Sequence, residues 1–418
     1  MGLFDELQWR GLVHDLTDPV VPEKLDAPGA ITAYIGFDPS ADSLHLGNLL
    51  QLCNLRRLQD AGHHVIALVG GATGMIGDPG GRSEERNLLS SDELAANLAG
   101  VRAQLEGFLP GATFVDNQDW LRGVSILDFL RDVGKHFTIN QMVAKESVKA
   151  RFEGRDQGIS YTEFSYMLLQ AADYLHLHDT YGCNLQLGAS DQWGNIVTGI
   201  ELVRKVRGHT VYGFTSPLVL RSDGAKFGKS VAGAVWLDGA RTSPYGMYQF
   251  LVRSEDSVVG QYLRYFTWLP RPRIEELDAR TAEAPERREA QRVLAQEVVA
   301  LVHGKQEADR AEHASSVLFS EEIAALDEAT LVDVFAEAPS TTLGREPVPL
   351  VDVLASTGLA TSKSDARRHL QAGAVYVNNR KVADADGSVD PAVDALHGRY
   401  VVLRRGKASQ HLLRFERS

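Results

Sequence analysis

The sequence predicts an α/β fold with a mostly parallel sheet, followed by a helical region and a small α+β module. Three observations predict it. Residues 30–220 alternate short apolar runs with helical repeats, the pattern left by parallel strands joined through crossover helices. From Pro244 to about Ala314 the pattern is helical alone, with Val293, Leu294, Val298, Leu301 and Val302 along one side of a charged helix. Beyond Pro347 the composition turns basic, with 11 Lys and Arg against 7 Asp and Glu, whereas residues 1–346 carry a net −16. A length of 418 residues itself favours two or three domains.

Composition narrows the function classes. A formal charge of −12 argues against a protein that coats nucleic acid nonspecifically, because phosphate contacts need local Lys and Arg. A basic C-terminal module on an acidic body instead hints at RNA contact. The two cysteines, Cys53 and Cys183, belong to no CxxC or Cys/His cluster, so neither a structural zinc nor a disulfide framework is expected. The N-terminal residues lack an apolar signal core and no run approaches the length of a membrane span. A soluble cytoplasmic protein without a membrane partner is expected.

The elements follow in order. Ala30–Phe37 reads as a strand, and His64–Gly70 as a second, buried one. Between them Leu46–Ala61 is a helix stopped by Gly62, apolar at Leu46, Leu49, Leu50 and Cys53, the spacing of one helical face. Residues 119–158 read as an inserted helical segment. Tyr166, Gln170 and Asp173 share one helix face, with Phe164, Met167, Leu168, Ala171 and Leu175 on the other side and Ser160-x-x-Glu163 as a capping box at the start. Asn184–Gly188 is a later strand, followed by a helix striped with Ile196, Val197, Ile200 and Val203. An acidic stretch and a Pro/Thr-rich tract form a linker over 320–346. The last module carries helices Leu350–Ala355 and Lys363–Gln371, the second capped by Ser362, then a hairpin over Ala374–Val382. The expected domains are therefore 1–220, 221–319 and 347–418, joined by that linker.

Two short segments suit phosphate chemistry. In Asp38-Pro39-Ser40 to His45-Leu46-Gly47-Asn48 the chain leaves a strand and enters a helix, where backbone N–H groups carry partial positive charge. His45 and Ser40 can donate to phosphate oxygens, and Gly47 lets a flat ring approach the helix start. In Lys226-Phe227-Gly228-Lys229-Ser230, two mobile point charges flank a glycine, which suits pyrophosphate. A Walker A loop is excluded by counting: Gly224 precedes Gly228 by four positions instead of five, with Asp223 where glycine is required. Gly70 to Gly77 follows a strand but contains no GxGxxG, so a dinucleotide fingerprint is excluded as well.

HLGN and KFGKS lie 178 residues apart, in that order around an α/β core. They resemble the HIGH and KMSKS signatures of class I aminoacyl-tRNA synthetases. With GGATGMIGDPGGRSEER (70–86), YTEFSYMLLQAADY (161–174) and LGASDQWGNI (187–196), the resemblance extends over nearly the whole chain, to the bacterial tyrosyl-tRNA synthetase family. It implies a Rossmann-like catalytic domain, a dimer-forming insertion at 119–158 and a C-terminal domain of the S4 type. Its implied substrates are L-tyrosine, ATP with Mg²⁺, and tRNA(Tyr), with no prosthetic group and no metal held by fixed protein ligands. The chain is expected to form a homodimer.

The resemblance also implies roles for residues. Tyr34 and Asp173 would bond the phenolic hydroxyl of tyrosine, while Asp78, Tyr166 and Gln170 would hold its ammonium group and Gln192 would orient its carboxyl group. Gly36, Asp38, His45, Gly47, Asn48, Asp191 and the run Lys226-Phe227-Gly228-Lys229-Ser230 would line the ATP site. Ser40, His45, Lys226 and Lys229 would stabilise the leaving pyrophosphate, supplemented by Arg82 and Arg86. Lys363, Arg367, Arg368, Arg380 and Lys381 would contact tRNA. On composition alone Tyr34 reads as a core aromatic, Asp191 as a helix cap and the basic residues as a solvated face. Asn48, Phe227-Gly228, Ala189 and Arg82 depart from the residues frequent at those places. The rival readings are the sister tryptophan enzyme, an adenylating nucleotidyltransferase that uses no tRNA, and a non-catalytic RNA-binding protein.

Overall fold

A computed structural model describes residues 2–78, 90–143, 145, 159–230, 233–318, 320–336, 338–382, 384, 386–406 and 409–416. Arg82, Arg86 and most of 144–158 lie outside the described residues, as do the side chains of Lys229 and Ser230. The chain divides into two compact units: residues 1–241 with 254–290, and residues 242–253 with 291–418. The helices that follow Pro244 in sequence are thus shared between the two.

The first unit is built on a six-stranded sheet. Its strands are β1 (Asp15–Leu16), β2 (Thr32–Phe37), β3 (His64–Val69), β4 (Thr113–Asp116), β5 (Leu185–Ala189) and β6 (Tyr212–Ser216), in the spatial order β1-β6-β5-β2-β3-β4. All pairs are parallel except the edge pair β1–β6. Strands covered on both faces read as continuous apolar runs, and β3, His64-Val-Ile-Ala-Leu-Val69, is buried from Val65 onward. The apolar core joins Tyr34, Ile66, Leu68, Val115, Tyr174, Leu177, Cys183, Val203 and Val211.

Strand order decides where a ligand fits. The chain runs outward from β2 to β3 and β4, then crosses back to lay β5 and β6 on the other side of β2. β2 and β5 pair only at Ala33↔Leu185 and Tyr34↔Gln186, although β2 continues along β3 to Phe37 and β5 along β6 to Ala189. Their carboxyl ends therefore part, opening the crevice that an open α/β sheet offers at its switch point. The helices around this crevice are α1 (Leu46–Asp60), α2 (Ser91–Phe108), α3 (Tyr161–Tyr181) and α4 (Trp193–Arg207), and α5 (Asp256–Phe266) packs on α1 in the same unit. α3 begins at Ser160, whose hydroxyl accepts the Glu163 N–H at 3.2 Å.

The second unit packs the helices Pro244–Val252, Lys305–Val317 and Glu328–Val334 with most of Glu289–His303. Its five-stranded sheet has the order Arg380–Val382, Val375–Val377, Tyr400–Arg405, Ser409–Phe415, Ser340–Leu343, and only the last pair is parallel. The hairpin turns at Asn378 and Asn379, with φ of 46° and 62°, the left-handed pair that a two-residue loop requires and asparagine tolerates. Helix Lys363–Gln371 starts at Ser362, whose hydroxyl accepts from Asp365 N. Residues 320–346 are not an unstructured linker: they include the helix Glu328–Val334 and the edge strand Ser340–Leu343. Pro339 precedes that strand, the position proline tolerates best, so a reading that took the Pro/Thr tract as a spacer missed a strand whose pairing is supplied by the segment that starts at Leu412, opposite Ser340.

Candidate active site

The carboxyl ends of β2, β3 and β4 and the face of α3 meet in one hydrogen-bonded chain of side chains. Tyr166 Oη donates to Asp38 Oδ2 at 3.1 Å, and Thr73 Oγ1 donates to Asp38 Oδ1 at 3.0 Å. Asn117 Nδ2 donates to Thr73 Oγ1 and to Asp173 Oδ2, both at 3.0 Å, and Trp120 Nε1 donates to Asp173 Oδ1 at 2.9 Å. Asn117 is itself fixed through its carbonyl oxygen, which accepts the Ala72 N–H at 2.7 Å. The network is buried: Asn117 is 0% exposed and Asp173 2%. Such a network orders a pocket because every member is held by another.

Tyr34 completes this end of the crevice. Its ring packs against Tyr174 with centroids 5.3 Å apart, yet its hydroxyl is buried with no hydrogen-bond partner among the described residues. A buried polar atom left unmet calls for a partner, either water or a ligand. Burial raises the Tyr34 phenol well above its ordinary value, and the charge of Asp173 raises it further. Burial also pushes the Asp173 carboxyl up to about 7, against the downward pull of Asn117 and Trp120.

A second polar group lies beside it. Gln170 Nε2 donates to Gln192 Oε1 at 3.3 Å, Asn195 Nδ2 donates to the same oxygen at 3.2 Å, and Gln192 Nε2 donates to Asp78 Oδ2 at 2.5 Å. Asp78, Gln170 and Gln192 thus converge, whereas Tyr166 turns to Asp38. Asp191, half-buried and raised by that burial, faces Lys226 Nζ at 3.8 Å. Tyr166 and Asp173 are buried and Gln170 is partly buried, so this side of α3 is not a solvated stripe.

The two phosphate-type segments meet through their backbones. His45 is the N-cap of α1: its Nδ1 accepts the Gly47 N–H at 3.0 Å, while Asn48 Oδ1 accepts the His45 N–H at 3.1 Å. An Nδ1 that accepts puts the proton of the neutral imidazole on Nε2, so Nε2–H is the donor this ring presents. Leu46 N donates to Val235 O at 2.9 Å, Val235 N to Gly228 O at 2.8 Å and Leu237 N to Leu44 O at 2.8 Å. Gly228 has φ +85°, and a Cβ there would lie 2.8 Å from Gly47 N; a Cβ on Gly47 would lie 2.7 Å from the His45 ring and 3.5 Å from Phe227 O. Glycine is therefore required at both positions by close approach, and at Gly228 by conformation too.

α5 ties both segments down. Phe227 is buried against Tyr262 and Phe266, with centroids 4.5 and 5.4 Å away. At the end of α5, Arg57 from α1 donates to Tyr265 O and Thr267 O at 3.0 Å each, and Arg10 to Thr267 O at 2.9 Å and Leu269 O at 2.7 Å. Guanidinium groups satisfy the orphan carbonyls of that helix end. Gly36 and Ser40 are exposed in the crevice region, and Ser40 N donates to Asp38 O at 2.8 Å.

In the second unit Lys363, Arg367, Arg368, Arg380 and Lys381 are all exposed. Arg368 pairs with the largely covered Asp365 at 2.5 Å; Lys363 pairs with Asp352 at 2.8 Å and Arg380 with Glu321 at 3.4 Å, and exposed pairs like these two exchange partners at little cost. Thr73, Asn117 and Trp120 escaped sequence reasoning. The signal available was the polar run Asn117-Gln118-Asp119-Trp120 directly after a short β-type stretch, the place where strand-end residues enter a crevice.

Known proteins resemble this chain in sequence and fold. Residues 27–320 match the family model described as tRNA synthetases class I (W and Y), and residues 330–413 match the tyrosine--tRNA ligase SYY-like C-terminal domain. The tyrosine--tRNA ligase of Roseiflexus castenholzii is 50% identical over 99% of both chains. That of Geobacillus stearothermophilus is 48% identical over 99% of this chain and all of its own. A C-terminally truncated mitochondrial tyrosyl-tRNA synthetase of Aspergillus nidulans superposes with a TM-score of 0.68 at 34% identity, covering 76% of this chain and 94% of its own. A Plasmodium falciparum tryptophanyl-tRNA synthetase, at 16% identity and a TM-score of 0.55, shares the fold alone.

Proposed function

Since this chain belongs to the class I tRNA synthetases of the tryptophan and tyrosine group, and within it to the tyrosine–tRNA ligases, we propose that the β2/β5 crevice is where it activates L-tyrosine with ATP. The observation that carries the choice of amino acid is the unmet, buried Tyr34 hydroxyl near Asp173. A phenol O–H placed there donates to Asp173 and accepts from Tyr34, so both groups are satisfied. Indole offers one N–H and no acceptor, and phenylalanine offers neither, so each leaves a buried group stranded. The convergence of Asp78, Gln170 and Gln192 supports the ammonium and carboxyl end of the substrate.

The tyrosine carboxylate, ionised at neutral pH, attacks the α-phosphorus of ATP; the new P–O bond forms as the α–β bridge breaks and pyrophosphate leaves. No general base is needed. The work is positioning and charge stabilisation. His45 Nε2–H, Ser40, the N–H groups that open α1, Lys226 and Lys229 are the donors we assign to the phosphates, with Arg82 and Arg86 as further cations. Asp191 is assigned to the ribose. A hydroxyl of the terminal adenosine of tRNA(Tyr) then attacks the tyrosyl carbonyl, and AMP departs. Among the described residues, Asp38, Asp78 and Asp191 are engaged by Tyr166, Thr73, Gln192 and Lys226, and Mg²⁺ would be carried by the oxygens of ATP itself.

Two further readings belong to this proposal. The exposed basic residues of the second unit suit the tRNA backbone. Exposed apolar side chains at Val124 (45%), Ile126 (70%), Leu127 (76%) and Ile139 (62%) suit a homodimer, since such clusters mark interaction surfaces. No helix among the described residues is long and apolar enough to cross a membrane, and the free, buried Cys53 and Cys183 fit a reducing cytoplasm. The experiment is amino-acid-dependent ATP–pyrophosphate exchange: tyrosine should drive it, and exchange driven by tryptophan but not tyrosine would overturn the assignment.

A further inference from the structure

Asp173 receives Trp120 Nε1 at 2.9 Å, but Trp120 stands on a helix of one turn, Gln118–Leu121. So short a helix does not hold a side chain in place by itself. One part of the indole packs against the core around Tyr34 and Tyr174. Over its ring lies the imidazole of His176, centroids 4.2 Å apart and planes 13° from parallel. His176 sits three residues beyond Asp173 on α3, the spacing that puts two side chains on one face. The same helix therefore takes the indole N–H with one residue and covers the ring with another. Thr180 Oγ1, 3.4 Å from His176 Nε2, orients the imidazole from the next turn. Burial holds His176 below its ordinary value, so a neutral ring stacks on the indole at pH 7.

We propose that His176 is a positioning residue for amino-acid recognition: by stacking on Trp120 it holds the indole N–H on Asp173, and so holds the Asp173 carboxylate where it reads the hydroxyl of tyrosine. The inference rests on the assignment of Asp173 to that hydroxyl. His176 itself touches neither substrate nor any reacting atom.

The test compares His176→Leu with His176→Phe by ATP–pyrophosphate exchange, with KM for tyrosine, KM for ATP and the tyrosine-to-phenylalanine preference as readouts. Leucine keeps bulk without a flat ring; phenylalanine keeps the ring without nitrogen. An aromatic pair has a worth that converts to about a two- to tenfold change. His176→Leu should raise KM for tyrosine and lower the preference by that factor, leave KM for ATP unchanged, and be rescued by His176→Phe. Wild-type values in His176→Leu, or equal defects in both variants, would overturn the proposal. Asp173→Asn separates the two levels: if it too leaves the preference intact, the assignment of Asp173 falls, whereas loss of preference there with a normal His176→Leu removes His176 alone.

Discussion

Replacing Tyr34 with phenylalanine should move stability and recognition in opposite directions. The Tyr34 hydroxyl is buried, in a residue 1% exposed, with no hydrogen-bond partner among the described residues. An unmet buried group of this kind costs about 1–3 kcal/mol. Tyr34→Phe removes that cost and leaves the ring on Tyr174, so the free protein should gain stability toward the low end of that range and melt a few degrees higher. Binding has the other sign. Bound tyrosine loses one hydrogen bond, about 0.5–1.5 kcal/mol, or about two- to twelvefold in affinity. Phenylalanine no longer strands a hydroxyl, so the preference for tyrosine narrows by at least the same factor. Calorimetric melting and pyrophosphate exchange with each amino acid measure both effects. A lower melting temperature, or an unchanged preference, would refute the reasoning.

Asp173 gives a pH signature. Its folded-state value, raised by burial to about 7 from 3.8, favours the folded state while the carboxyl is protonated; this contribution is complete below pH 3.8 and is lost as pH rises through about 7. A phenol donates to the carboxylate form, so the tyrosine dissociation constant should fall as pH rises from 6 to 8, and a flat profile would count against the pocket. Gly228→Ala places a Cβ 2.8 Å from Gly47 N at φ +85°; exchange should drop by more than about tenfold, the strain and the forced shift together exceeding 1.4 kcal/mol, with tyrosine affinity in equilibrium dialysis unchanged. Leu127→Asp puts a charge in the exposed apolar cluster, and sedimentation equilibrium at micromolar protein should then find monomers, where unaltered dimers would remove that surface from the interface.

How much of this the sequence disclosed depended on whether a signal was local. Residue runs that carry their own geometry were legible: the strand over Thr32–Phe37, the helix from Leu46, the Ser362 cap, and the hairpin over Ala374–Val382, although Arg380 and Lys381 lie on its second strand and not at its turn. So was the side of α3 that bears Tyr166, Gln170 and Asp173, because a helix face is a matter of spacing. Asn48, which looked like a departure from the usual signature, proved to be the partner of His45 in a capping box. The Thr73–Asn117–Asp173–Trp120 chain was not legible, since its members come from the ends of β3 and β4 and from α3 and meet only when the sheet is assembled. Nor was the strand Ser340–Leu343, whose register is dictated by a partner near the C-terminus.

The parting of β2 from β5 after Tyr34 and Gln186 has one more consequence. Past that point the two inner edges, Ile35–Phe37 and Leu187–Ala189, share no ladder bonds with each other, although each strand stays anchored by its other neighbour. The sheet thus has a gap between two of its inner strands, each held by its other neighbour. A molecule entering it meets peptide groups whose positions are set by the whole sheet and whose identity does not change with the side chains attached to them. Contacts made with such groups do not depend on which side chains stand at Ile35 or Ala189, so under the proposed function a nucleotide held there would tolerate substitution at both. Under the same proposal the choice of amino acid falls to the side chains of α3.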